Sequence, residues 1–265
     1  MPRYRILIEY NGTNYYGWQR QAEHASIQGA IETSIKGLVG VTTHVQGCGR
    51  TDAGVHALGQ VAHFDCEKNY PTFVVREALN ARLVDAQDTI SILDVQLVDD
   101  SFHARHSAIK RHYLYKIVNR RSPLALDLRQ AWQVRKPLNV DAMSEAAQHL
   151  IGYHDFSTFR SSECQADNPV RTVETLNITA HDEKIEITTS ARSFLHHQVR
   201  SFVGSLVHVG LGKWTPDDLK AALESRDRTR CGPQAPACGL YFVKAEFKLN
   251  TPKKWEPVFG QAYGE

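Results

Sequence analysis

The chain has 265 residues, with 31 Lys and Arg against 29 Asp and Glu, a formal net charge of +2 with histidine neutral. At 42% hydrophobic and 23% charged residues it has an ordinary globular composition, enough for about two domains. A mean hydropathy of −0.39 and the lack of any apolar run near the roughly 18 residues that span a bilayer exclude membrane-spanning and disordered classes. The opening residues, Met1 to Arg5, lead straight into strand-like sequence, so neither a signal peptide nor a transit peptide is expected.

Tyr4, Ile6, Ile8 and Tyr10 alternate as a strand does. Ser26 is placed to cap a helix whose Ile27, Ile31, Ile35 and Leu38 share one face. Strands over about 43–49 and 57–65 follow, then a helix over 72–82 with Phe73, Val74 and Ala78 as its apolar side, and a strand over 89–98. The order is βαββαβ, and it recurs. A strand over 111–119, an Asn139-capped helix over 140–151, a hairpin over 171–180 and 184–190, a helix over 196–211 and a strand over 240–248 make the second set. The pattern predicts an α+β fold of two ferredoxin-like units, each an antiparallel sheet with both helices on one face. The expected boundaries are 1–105 and 106–250, with 251–265 as a tail packing on the body.

Five scattered cysteines without a C-x-x-C pair argue against a disulfide framework or a zinc site and fit a reducing cytoplasm. The thirteen histidines show no H-E-x-x-H spacing, so neither a metal nor a cofactor is expected. The small net charge conceals segregation. Ser101–Leu126 contains no acid but holds Arg105, Lys110, Arg111, Lys116, Arg120 and Arg121; Ile187–Pro216 and Thr33–Thr51 are sparse in the same way. Such clustering suits either a solvated face or a polyanion such as nucleic acid.

Four segments carry candidate chemistry. Gly47 to His56 is glycine-rich but lacks a phosphate-loop lysine. Asp52 within it is either a turn aspartate or a reactive carboxylate, the lone acid between Glu32 and Asp65 and next to Arg50. Lys110 to Tyr115 interleaves cations with aromatics, which suits base stacking. Core packing is the simpler reading for Tyr115, whereas Tyr113 stays open. In Phe194 to Gly204, Arg200 is either a solvated helix arginine or the partner of a distant carboxylate, and Asp52 is available. Gly204 suggests close approach of another backbone. Tyr15, Tyr16 and Trp18 either pack on the sheet or line a groove beside Arg20. The Gly239–Val243 stretch only partly matches the RNA-recognition signature, which weakens the competing reading, a noncatalytic RNA-binding module of RRM-like topology.

The segments Tyr15–Gln19, Gly49-Arg50-Thr51-Asp52-Ala53-Gly54-Val55-His56-Ala57, Phe102–Arg105, Phe156–Arg160, His197–Arg200 and Gly239–Tyr241 together resemble the tRNA pseudouridine synthase A family, in family order. One departure is Cys48, where the family often has alanine; a small buried cysteine is compatible with the site. The resemblance implies two ferredoxin-like domains whose sheets join into one extended sheet, a homodimer, no cofactor, and isomerisation of uridine at positions 38, 39 and 40 of the tRNA anticodon stem-loop. It implies Asp52 as the catalytic aspartate, Arg200 as its partner, Tyr113 as the active-site tyrosine, Arg50 as the residue helping to extrude the nucleotide, and Leu240 as a wall of the base pocket. Arg105, Lys110 and Arg111 are the expected RNA contacts. The reaction moves C1′ from N1 to C5 of the uracil and needs a carboxylate kept ionised in a dry pocket; an opposed guanidinium favours that form. A nucleosidase would want a second carboxylate, and none is evident near Asp52.

Overall fold

The computed structural model describes residues 1–248; the tail assigned to 251–265 lies outside the described residues. The first unit runs β1 (Arg3–Tyr10), α1 (Ile27–Val39), β2 (Gln46–Gly47), β3 (His56–Asp65), α2 (Thr72–Asp85) and β4 (Ile90–Val98). The second runs β5 (Ala108–Val118), β6 (Trp132–Gln133), α3 (Val140–Gln148), β7 (Gly152–Asp155), β8 (Val170–His181), β9 (Lys184–Ala191), α4 (Gln198–Gly210), α5 (Pro216–Ser225) and β10 (Leu240–Phe247). Among the described residues no helix is long and apolar enough to cross a membrane.

Local chemistry sets most of these boundaries. The Ser26 hydroxyl accepts from the Gly29 amide to start α1, which ends at Gly40 with φ +83°, a conformation that costs glycine nothing. Asn139 caps α3 in the same way. The helix α2 turns a different face inward than expected. Val75, Leu79 and Leu83 are its buried side chains, while Phe73 is 64% exposed. The four-residue spacing of that trio keeps one stripe over three turns, and Phe73 sits two positions, about 200°, away from it. The expected elements omit α5, although Thr215 and Asp218 form a reciprocal capping box with Pro216 at the first helical position. They also omit β6 and β7, too short to show a period.

All ten strands among the described residues form one sheet, ordered β4-β1-β3-β10-β5-β9-β8-β7, with β2 on β3 and β6 on β5. Each half follows the ferredoxin-like order, β4-β1-β3-β2 and β10-β5-β9-β8. The strand expected over 43–49 contributes only Gln46–Gly47. A side chain at Gly47 would collide with the Trp18 ring at 2.6 Å, and beyond this point the chain leaves the sheet. The edge of β3 that it vacates is taken by β10 in a two-residue parallel pairing, Tyr241 with His56 and Phe242 with Ala57. That substitution fuses the halves. The buried apolar side chains fall into two clusters that exchange members: Phe242 and Ala245 of β10 pack with the first, whereas Val55 packs with the second.

Two buried imidazoles lie on β3. His63 is 2% exposed and its Nδ1 accepts from the Ala104 amide at 3.2 Å. Burial, then Arg3 and His103, push its pKa down to about 4, opposed weakly by Asp65. An unfolded histidine titrates near 6.5, so between about pH 4 and 6.5 the unfolded chain binds the extra proton and stability rises with pH. Acidification from pH 6.5 to 5 should therefore cost about 2 kcal/mol through this group. Melting temperatures of wild type and His63→Gln across that interval should show a shallower slope in the variant; parallel slopes would refute the assignment.

Candidate active site

The segment Cys48–Val55 leaves β2 and re-enters the sheet at β3, and it is pinned from three sides. The Gln60 amide donates to the Gly49 carbonyl at 3.0 Å, and the same side chain accepts from the Cys48 thiol. Burial pushes that thiol up to about 11, so Cys48 is a small packed group, as expected of it. From the loop after β1, the Trp18 amide donates to the Thr51 carbonyl at 3.0 Å, while the Tyr10 and Thr51 hydroxyls bond at 2.8 Å. Close approach here requires glycine: an added methyl at Gly12 would lie 2.0 Å from the Val55 carbonyl oxygen, and one at Gly17 (φ +91°) 2.5 Å from that of Thr51. Trp18 is buried, which settles its role as packing, whereas Tyr16 is 54% exposed. His56 closes the loop. Its Nδ1 accepts from the Gly12 amide at 3.1 Å and its Nε2 faces the Arg129 and Cys238 carbonyls at 3.0 and 3.2 Å.

The Val55 amide bonds the Asp52 carbonyl in a turn, leaving the Asp52 carboxylate free to project. It meets Arg200, 148 residues away in sequence, with Nη1 3.0 Å from Oδ2. The guanidinium is fixed by a second bond, Nε to the Ala235 carbonyl at 2.9 Å, and the Ala235 amide returns a bond to the Arg200 carbonyl at 3.0 Å. This backbone strap crosses α4 at Gly204, where an added methyl would sit 1.6 Å from the Pro233 carbonyl oxygen. The close approach expected at Gly204 is thus the approach of the segment that holds Arg200.

Two further groups surround Asp52 that sequence reasoning missed. His196 Nε2 lies 3.4 Å from Oδ1 and His197 Nε2 lies 3.3 Å from Oδ2. The expected helix over 196–211 begins instead at Gln198, so both imidazoles precede it. His197 occupies the left-handed region with φ +65°, a conformation costing about 1–2 kcal/mol for an ordinary residue. The turn is held by the Leu195 amide donating to Gln198 Oε1 at 2.7 Å and by the Ser201 amide donating to the His197 carbonyl at 2.9 Å. Burial pushes the His197 pKa below its ordinary value, with Asp52 acting in the opposite direction. The adjacent pair before an arginine-bearing helix is visible in the sequence; the backbone reversal that aims it is not.

Tyr113, on β5, flanks the same loop. It is half-buried and edge-on to both Phe194 and Phe242, each with ring centroids 5.3 Å away. An added methyl at Gly49 would lie 4.0 Å from its hydroxyl. Desolvation raises its pKa, so it enters any reaction as a neutral phenol. Tyr115 is buried and bonds the Pro236 carbonyl at 2.7 Å, a core residue. Leu240 is buried in the second core cluster. Arg50 and Arg105 are exposed. Lys110 pairs with Glu174. Arg111 donates inward to the carbonyls of Cys48, Arg105, Ala108 and Arg192 at 2.7–3.1 Å. These bonds tie the junction of β5 and the loop together.

The site is open. Asp52 is 25% and Arg200 15% exposed at the side chain, in contrast to the dry pocket expected from the chemistry. Two surface pockets, of about 640 and 370 Å³, lie on the helical side against α3–α5. Neither includes a member of the Asp52 cluster.

The described arrangement joins an ionisable carboxylate, a fixed guanidinium and a stacking-competent phenol across the two halves of one chain. A family model described as tRNA pseudouridine synthase matches residues 6–107 and 146–248. The chain is 57% identical over 247 residues to tRNA pseudouridine synthase A of Sinorhizobium fredii, covering 93% of this chain and all of that protein. It is 58% identical to the Bartonella henselae protein of the same name, with the same coverage. A third relative, from Rhizobium leguminosarum bv. trifolii, is 53% identical over 97% of this chain and 96% of its own length. Fold and sequence together show that the chain belongs to the tRNA pseudouridine synthase family.

Proposed function

We propose that this isomerase acts on uridines 38, 39 and 40 in the anticodon stem-loop of tRNA, with Asp52 as the reacting carboxylate. The observation that carries the reading is the 3.0 Å Asp52–Arg200 pair, built from opposite halves of the chain. The overall change breaks C1′–N1, forms C1′–C5, releases the C5 hydrogen as a proton and leaves a proton on N1, with no net redox step. Asp52 serves either as nucleophile at C1′ or C6 or as base at C2′; each route starts from the carboxylate anion, which the neighbouring guanidinium favours.

Tyr113 stacks on the extruded uracil and excludes water, the bound base itself completing the enclosure that the open site lacks. Arg50 fills the space left by the nucleotide, whose extrusion costs a few kcal/mol; Leu240 bounds the base pocket, and Arg105 contacts the RNA backbone. The same reading takes the active form as a homodimer and the compartment as the cytoplasm, in keeping with five free cysteines.

Tritium release from C5-labelled uridine in an unmodified anticodon stem-loop tests this directly. Stoichiometric release mapping to positions 38–40 is the expected result. Release only from another tRNA region would overturn the site assignment. Free uracil would instead indicate a nucleosidase, and binding without release a noncatalytic RNA module.

A further inference from the structure

We infer that Asp52, His196 and His197 form a binding site for a borderline-soft divalent cation, Zn²⁺ above all, and that its occupancy inhibits the enzyme. Among the described residues this is the one group of three metal-ligating side chains whose donor atoms all lie within 4.8 Å of one another. His196 Nε2 lies 3.4 Å from Oδ1 and His197 Nε2 3.3 Å from Oδ2; each separation matches the edge of a tetrahedron with metal–ligand bonds of about 2.0–2.1 Å, which is roughly 3.4 Å. The two rings lie side by side, with centroids 3.9 Å apart, so both nitrogens approach the carboxylate from one direction. With a single carboxylate oxygen as the third ligand, the remaining edges each have to close by at most about 1.4 Å, and His196, 38% exposed, is free to turn.

Neither imidazole makes a geometrically sound hydrogen bond to Asp52, although both nitrogens are within 3.5 Å. The strained backbone at His197 therefore aims a nitrogen lone pair or N–H at the carboxylate without a conventional bond to show for it. Three protein donors with an open fourth position is the pattern of zinc sites that retain a water. Arg200, held on Oδ2, biases the cation toward Oδ1 and weakens it, as does the lack of a bonded partner on either ring's Nδ1 among the described residues. Micromolar rather than structural affinity follows. Mg²⁺, which prefers oxygen ligands and keeps its water, is not expected to compete, so magnesium used to fold the tRNA leaves the site empty. A cation seated there occupies the carboxylate oxygens that the isomerisation uses.

Cation binding is measurable without turnover. Titration of the full-length protein with ZnCl₂ by calorimetry, and with CoCl₂ by visible absorption, should show one tetrahedral site per chain at micromolar concentration. The probe variants are His196→Gln and His197→Asn, the latter because asparagine tolerates the left-handed backbone. Each should weaken zinc binding about tenfold or more, and the inhibition constant for tritium release, normalised to each variant's own rate, should move with it. No uptake at about 100 µM ZnCl₂, or equal affinity in the double variant, would overturn the site. Full turnover by zinc-loaded enzyme would overturn the inhibitory role and leave the isomerase assignment intact.

Discussion

Asp52→Asn is expected to bind tRNA within about threefold of wild type while kcat for tritium release falls at least ~10³-fold, about 4 kcal/mol of lost transition-state stabilisation. The amide keeps the shape and can still accept from Arg200, so the loop fixed by Gln60, Trp18 and Tyr10 stays in place. Only the anion is lost. Arg200→Met should lower kcat more than it weakens tRNA binding, because the guanidinium bonds Asp52 and the Ala235 carbonyl rather than standing free in solvent. Arg200→Lys should recover little. An ammonium cannot bond the Ala235 carbonyl and Asp52 from two points of a rigid fork, as Nε and Nη1 do. Filter binding beside single-turnover kinetics separates the effects; a normal rate in Asp52→Asn would remove this carboxylate from the mechanism.

Gly204→Ala is the second large effect, and its direction is a contest between two terms. Alanine raises helix propensity by about 1 kcal/mol. Against this, its methyl would meet the Pro233 carbonyl oxygen at 1.6 Å and the Ala235 nitrogen at 3.0 Å. Backbone cannot swing aside as a side-chain tip does, and overpacking of this kind costs about 1–3 kcal/mol or more. The clash wins. Because the displaced segment carries both bonds to Arg200, activity should drop by more than the population of unfolded protein explains. Chemical denaturation and kcat measured on the same sample decide this: a more stable, fully active variant would refute the strap.

Much of the fold was legible because its period is local. The alternation in β1, the Ser26 and Asn139 caps and the hairpin of β8 and β9 all follow from residues a few positions apart. The fusion of the sheets was not visible in the periodicity. It depends on β2 stopping at Gly47 and on β10 pairing across 185 positions, His56 to Tyr241, and the family resemblance alone anticipated it. Within the site, the motif residues Asp52 and Arg200 fell together as expected. The contacts of His196 and His197 with Asp52 are not legible in the sequence because their placement comes from one left-handed backbone angle, which no propensity encodes for histidine. The inward bonds of Arg111 are illegible for a different reason: a cation in a basic run looks solvent-facing until the carbonyls that accept from it are known.

The β3–β10 splice also constrains timing during synthesis. The loop bearing the carboxylate is synthesised well before Leu240–Phe247, the strand that joins the two halves. Until that final strand docks, the earlier half presents an open edge and no aligned guanidinium. A chain that still lacks that strand has no assembled site, and competence arrives in one cooperative event.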